Sequence, residues 1–190
     1  MIECTDLSLE EARSLPALPS HYSTRDVYRL TRAAQGGALT WHLDTERLSD
    51  PYQKTYDDGV LDNWLETYEE AGNLASLRFV AAHFDSNYAG LLTWQPVRWN
   101  NTAWLIDIRV RDEFRRQGVG STLLRRLQMS GRRSRLRGIS VETQINNHPA
   151  IQFYIRHGFS IAGFQDHLYS NEDVETQDIA LFLFWRADQS

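Results

Sequence analysis

Residues 115–121, Arg115-Arg116-Gln117-Gly118-Val119-Gly120-Ser121, set two guanidinium groups and two glycines just ahead of a run patterned as a helix. A glycine lets the backbone come close to a ligand because no Cβ stands in the way. The unpaired N–H groups and the positive dipole end of a helix start then face whatever lies there. Guanidinium groups match the forked oxygens of phosphates. The combination reads as an anion cradle whose best-fitting guest is a pyrophosphate, although the same residues would also serve as a basic helix cap. Two other phosphate patterns are excluded. G-x-G-x-x-G fails because Leu123 stands three residues past Gly120, and G-x-x-x-x-G-K-[ST] fails because no lysine follows either glycine.

The loop follows residues 104–110, where Trp104, Ile106, Ile108 and Val110 alternate with Leu105, Asp107 and Arg109 as in a strand. Further on, Gly138 to Gln144 reads as a second strand, followed by Asn147-x-x-Ala150-x-x-Phe153-Tyr154-x-x-x-Gly158-Phe159. The pattern Arg115-x-x-Gly118-x-Gly120 after a strand resembles the acetyl-coenzyme A loop of the GNAT acetyltransferases. The pattern from Asn147 to Phe159 resembles the other signature of that superfamily, in the same order and spacing. Glu142-Thr143-Gln144, Leu168-Tyr169-Ser170-Asn171 and Ile179-Ala180-Leu181-Phe182 are similar more narrowly to the streptothricin acetyltransferases, over residues 104–186.

The resemblance implies a mixed α/β GNAT fold. That fold is a twisted, mostly antiparallel sheet of about six to seven strands with a central splayed parallel pair, flanked by helices. It implies acetyl-coenzyme A as cofactor, with the pantetheine arm on main-chain groups of Ile108, Arg109 and Val110. The pyrophosphate would lie on Arg115, Arg116, Gln117, Gly118, Val119, Gly120 and Ser121. Asn147 would bond the pantetheine from the other wall, and its position suits a helix N-cap equally. Tyr154 stands where the resembled family commonly keeps a tyrosine that protonates the departing thiolate. A phenol with pKa about 10 suits that task; packing on an apolar helix face is the alternative. Glu142 and Asp107 are candidates to take the proton of the amine. Each could equally anchor a substrate ammonium or pair with a neighbouring arginine. Tyr169 is expected to line the acceptor pocket. The expected activity is acetyl transfer to a primary amine of a small cationic acceptor, a streptothricin-like antibiotic being one, by direct attack in a ternary complex. Rival readings are a protein or peptide amine acetyltransferase and a non-catalytic acyl-coenzyme A-binding sensor.

The elements that must position these residues follow from periodicity and turn chemistry. The first twenty residues, with Pro16 and Pro19, read as a loose lead-in holding at most a helical turn. Strands are expected at Asp26 to Arg32 and, after Gly36-Gly37, at Ala38 to Leu43. Pro51 to Gly59 reads as a turn-rich loop. A helix from Val60 to Ala71 then carries Leu61, Trp64, Leu65 and Tyr68 on one face and Asp62, Glu66, Glu69 and Glu70 on the other. Asp85-Ser86-Asn87 joins paired strands. Val119, Leu123, Leu124 and Leu127 mark the buried face of the helix after the loop. A helix over 147–157 and a closing strand pair, 160–169 with 178–186, complete the chain.

Length and composition frame this reading. A chain of 190 residues, 42% hydrophobic, suffices for one packed core, so a single N-acetyltransferase domain over 1–190 is expected. No run approaches the ~20 apolar residues of a membrane span. Met1 to Asp6 lacks the basic and apolar stretches of a secretion signal, and the single Cys4 suits a reducing compartment. A soluble, cytoplasmic monomer or homodimer is therefore expected, with a small-molecule amine as partner and neither nucleic acid nor membrane. Cys4 has no paired histidine signal, which argues against an acyl-cysteine route. The histidines show no metal-ligand spacing, so no metal is expected. Residues 1–100 hold 8 Lys/Arg against 15 Asp/Glu, whereas residues 101–190 hold 12 Arg against 10 Asp/Glu. A basic cofactor side and an acidic remainder suit an anionic donor and a cationic acceptor. Trp41, Trp64, Tyr52 and Tyr56 flank the acidic helix, where aromatic faces could cradle a cation or simply pack.

Overall fold

The computed structural model describes residues 1–35, 37–56 and 60–188; of residue 35 and residues 60–64 the backbone alone is described. The elements run β1 (Ile2–Leu7), α1 (Leu9–Arg13), β2 (His21–Gln35), β3 (Ala38–Thr55), α2 (Val60–Glu70), β4 (Arg78–Phe84), β5 (Asn87–Val97), β6 (Thr102–Val110), α3 (Val119–Arg133), β7 (Gly138–Gln144), α4 (His148–Arg156), β8 (Phe159–Gln165), α5 (Asp173–Thr176) and β9 (Ala180–Arg186). Seven strands share one sheet in the order β1-β4-β5-β6-β7-β9-β8, and β2 with β3 makes a separate two-stranded sheet. The larger sheet is mostly antiparallel with β6 and β7 as a parallel pair at its centre. This is the mixed α/β architecture the sequence pattern implies. Two compact units divide the chain: Met1–Ser20, Tyr56–Val141 and Trp185–Ser190 form the first, His21–Thr55 and Glu142–Phe184 the second.

The first unit is built on β4, β5 and β6. Asp85 and Ser86, with φ of 46° and 67°, make the two-residue turn that joins Phe84 to Asn87, the left-handed geometry that matches strand twist. On one side of these strands α3 buries Val119, Leu123, Leu124 and Leu127, each at most 1% exposed. Burying one such side chain contributes about 1.5–3 kcal/mol. The other core joins Ala12, Leu18, Leu65, Leu77, Phe79 and Leu91. At Gly90 in β5 a Cβ would lie 2.6 Å from the Arg109 carbonyl oxygen, so only glycine fits that strand crossing.

The start of the chain corrects the expectation of a loose lead-in. Residues 2–7 form β1, paired with β4 from Ile2↔Phe84 to Leu7↔Phe79, and Asp6 takes an ion pair from Arg126 of α3 at 2.7 Å. Ser8 and Glu11 form a reciprocal capping box on α1, a local signal. As an edge strand β1 buries little, with alternating half-buried residues, which is why its hydrophobic pattern is faint.

The second unit carries a hairpin longer than periodicity suggests. β2 and β3 pair from His21↔Thr55 to Gln35↔Ala38, so the expected loop at Pro51 is strand as far as Thr55. Pairing jumps from Thr24↔Tyr52 to Asp26↔Arg47. Pro51, which has no N–H to donate, sits in that bulge, where the ladder needs none from it. The rest of the expected loop, Asp57-Asp58-Gly59, lies outside the described residues, as do Gly36 of the expected break and the side chains of Leu61, Asp62 and Trp64. Helix α4 packs on β2 and β8 and buries Ile151 and Tyr154. Ile145, Ile179, Leu181 and Leu183 are fully buried in the same unit.

Candidate active site

In the first unit, β6 delivers the chain to the glycine loop. The β6–β7 ladder covers four pairs, Thr102↔Gly138 to Leu105↔Val141, and β6 runs on to Val110. Ile108, Arg109 and Val110 pair with Leu92, Leu91 and Gly90 of β5, which leaves the main chain on their other edge suited to strand-like addition of a ligand. Arg115 lies half-buried, its Nε donating to the Val110 carbonyl at 3.3 Å and pairing with Asp112 at 3.0 Å. Arg116 is exposed and takes φ of 63°. Gln117 folds back onto the Glu113 carbonyl at 2.7 Å.

Gly118 stands at the N-cap of α3 with φ of 90°, a conformation that disfavours any side chain. No side chain caps this helix and no acidic residue occupies its first turn. Val119 is buried, and Gly120 and Ser121 are half-buried. The first-turn N–H groups, which have no intrahelical acceptor, are therefore available to an anion with no carboxylate of the helix's own first turn in competition.

Asp107 and Arg109 project from β6 as an ion pair at 2.8 Å. Arg109 is 9% exposed and also donates to the Leu18 carbonyl at 3.2 Å. Burial pushes the Asp107 carboxyl up, against the opposing pull of the Arg109 guanidinium. The hydroxyls of Tyr88 and Thr93 are buried and have no hydrogen-bond partner among the described residues; burial, and then the Asp107 charge, push the Tyr88 phenol up.

In the second unit, Glu142 of β7 accepts a hydrogen bond from the Tyr169 hydroxyl. Tyr169 is itself placed by Asp173, which is 1% exposed and accepts from the Tyr169 N–H at 2.8 Å and the Ser170 hydroxyl at 2.7 Å. A polar cluster adjoins. Lys54 at the end of β3 donates to both Asp178 oxygens, at 2.9 and 2.7 Å. Asn146 donates to Asp178 at 3.2 Å and to the Tyr52 hydroxyl at 3.1 Å, and accepts from the Tyr22 hydroxyl at 2.7 Å. Burial raises the proton affinity of Glu142; the Tyr169 bond opposes this, the Asp178 charge adds to it and the Lys54 charge subtracts. A carboxylate of raised basicity, held by the Tyr169 hydroxyl and beside an Asp178 that Lys54 neutralises, is suited to bind an ammonium and to take its proton.

Tyr154 is 6% exposed, with its ring 5.4 Å from Phe153 and 5.5 Å from Phe159. The Asn147 side chain accepts from the Ala150 N–H at 3.2 Å and so caps α4. The structure thus gathers Glu142 and Tyr169 with Lys54, Asp178, Asn146 and Tyr22, none of which the motifs singled out. Their spacing in sequence carries no pattern. The one available signal is that Lys54 is the only lysine of the chain.

The acetyltransferase (GNAT) family model matches residues 40–159. Streptothricin acetyltransferase A of Bacillus subtilis is 32% identical over 158 residues, covering 83% of this chain and 86% of the relative. A streptothricin acetyltransferase of Escherichia coli is 26% identical, covering 87% of this chain and 86% of the relative. Among solved structures, nourseothricin acetyltransferase superposes with a TM-score of 0.76 at 24% identity, over 98% of both chains. A Bacillus anthracis protein solved with acetyl coenzyme A gives 0.73 at 22% identity, over 98% of this chain and 99% of that one.

Proposed function

This chain belongs to the GNAT acetyltransferase family, and from that premise we propose that it transfers acetyl from acetyl-coenzyme A to a primary amine of a small cationic acceptor of the streptothricin type. Residues of the first unit fit the cofactor. Gly118 has the φ that a side chain would resist, α3 has no side-chain cap, and β6 runs past its parallel ladder. On this reading the N–H groups of Val119, Gly120 and Ser121, with Arg115 and Arg116 nearby, hold the pyrophosphate. Main-chain groups of Ile108, Arg109 and Val110 hold the pantetheine arm. When bound, acetyl-coenzyme A supplies the activated acetyl group.

Glu142 receives the acceptor ammonium and takes its proton at the carboxylate, so that a neutral amine is available to attack directly. Tyr169 holds that carboxylate in place through its hydroxyl. Tyr154 gives its phenolic proton to the departing sulfur. Asp107 is already committed to the buried Arg109, so the role of proton acceptor goes to Glu142. Acetylation cancels one positive charge, and with it one contact that a cationic molecule makes to a polyanion.

The observation that carries this reading is the half-buried Glu142 carboxylate, raised in basicity and oriented by Tyr169. The test is thiol release from acetyl-coenzyme A with streptothricin, polyamines, aminoglycosides and N-terminal peptides offered in parallel. Turnover with streptothricin and not with peptides is expected. Turnover with peptides alone would replace the acceptor class, and tight cofactor binding without any turnover would make the protein an acyl-coenzyme A sensor.

A further inference from the structure

Lys54 is the only lysine in a sequence with nineteen arginines, and it stands inside the polar cluster of the second unit. Its ammonium chelates both oxygens of Asp178, at 2.9 and 2.7 Å, and its side chain is 21% exposed. The pair does not swing freely. Asn146, 4% exposed, donates to Asp178 and is held by the hydroxyls of Tyr22 and Tyr52. A guanidinium would bring a wide planar fork to this place, whereas an ammonium is a compact point charge that one carboxylate can enclose. It is also the same chemical group as the acceptor's own cation.

Without Lys54 the cluster would offer two carboxylates, Glu142 and Asp178. An acceptor with several ammonium groups could then seat its amine at either, and at Asp178 that amine would be away from the Glu142–Tyr169 pair. Selectivity commonly rests on such blocking of a wrong register as much as on attraction to the right one. We propose that Lys54 is a specificity-determining residue: its ammonium fills the Asp178 carboxylate, so that an acceptor ammonium is received at Glu142 alone. This rests on the reading that the cluster receives the acceptor. The electrostatics agree, since the Asp178 charge raises the Glu142 carboxyl and the Lys54 charge lowers it.

The test compares binding of butylamine, with one ammonium, and 1,4-diaminobutane, with two, to the full chain by calorimetric titration. Lys54→Met uncovers Asp178, and the preference for the diamine rises on the order of tenfold, the weight of one unit charge in a partly screened site. Asp178→Asn leaves the Lys54 charge uncompensated, and the preference moves the opposite way. The double variant restores the charge count and returns the preference to that of the parent. Opposite shifts and their cancellation separate this role from a merely structural one, and Asp178→Asn keeps the test open if Lys54→Met folds poorly. If neither single variant moves the preference, or the double variant behaves like Lys54→Met, the assignment of Lys54 fails while the acceptor site stands. If the parent binds neither amine, the acceptor reading of the cluster falls and this assignment with it.

Discussion

Replacing Glu142 with glutamine keeps the shape of the side chain and removes its ability to accept a proton. A positioned general base contributes roughly 10²–10⁴-fold, so Glu142→Gln should lower kcat/KM at neutral pH by that factor, about 3 to 5 kcal/mol in barrier height. The structure also sets where the parent's pH profile turns. Burial raises the Glu142 carboxyl, and the base must be ionised to work. Activity therefore falls as pH drops through a value above the ordinary glutamate range of about 4.3. Tyr169→Phe removes the hydrogen bond that favours the ionised form, so this acid limb moves further up in pH. Stability responds with a definite sign. A carboxyl raised in the folded state holds its proton longer than in the unfolded chain, so its contribution is full below the ordinary pKa and is lost as pH rises through the raised one. The Glu142→Gln chain lacks that loss, and its Tm relative to the parent should improve across the same window. Thiol-release kinetics over pH, with thermal melts at each pH, measure both effects. Retention of kcat with a raised KM and an unshifted profile would show that Glu142 anchors substrate and takes no proton.

Two further outcomes follow from the geometry. Tyr154→Phe keeps the ring packed against Phe153 and Phe159 and should lower kcat about a hundredfold while leaving coenzyme A affinity within a few-fold; equal losses in kinetics and calorimetry would remove the proton-donor role. Gly118→Glu places a side chain at φ of 90° and a carboxylate at the uncapped start of α3, and should weaken coenzyme A binding by more than about a hundredfold, an assignment that unchanged affinity by titration would dismiss.

The glycine loop and its flanks were legible because their signals are local. The strand read over 104–110 lies within β6, although Leu105 and Arg109 are its buried residues and Trp104, Ile106, Ile108 and Val110 are half-buried; Val119, Leu123, Leu124 and Leu127 recur at helical spacing and are all buried in α3. The turn at Asp85-Ser86 and the helix after Asn147 likewise declare themselves within a few residues. β1 did not, since an edge strand buries only part of one face and its alternation is weak. Pro51 misled for a related reason. Proline ends most strands, yet a bulge in the β2–β3 hairpin removes the hydrogen bond that would have excluded it.

By itself, then, the sequence determined the glycine loop, the helices beside it and the family. Each rests on periodicity, capping or glycine conformation, all written within one or two turns of chain. Only the tertiary structure decided the company of Glu142. Lys54 and Asp178 are 124 residues apart, as are Tyr22 and Asn146, and Tyr169 reaches Glu142 across 27. No local rule relates such positions. The long β2–β3 hairpin and the turn held by Asp173 bring them together, and burial among those neighbours changes the basicity of a carboxylate whose letter in the sequence is like any other glutamate.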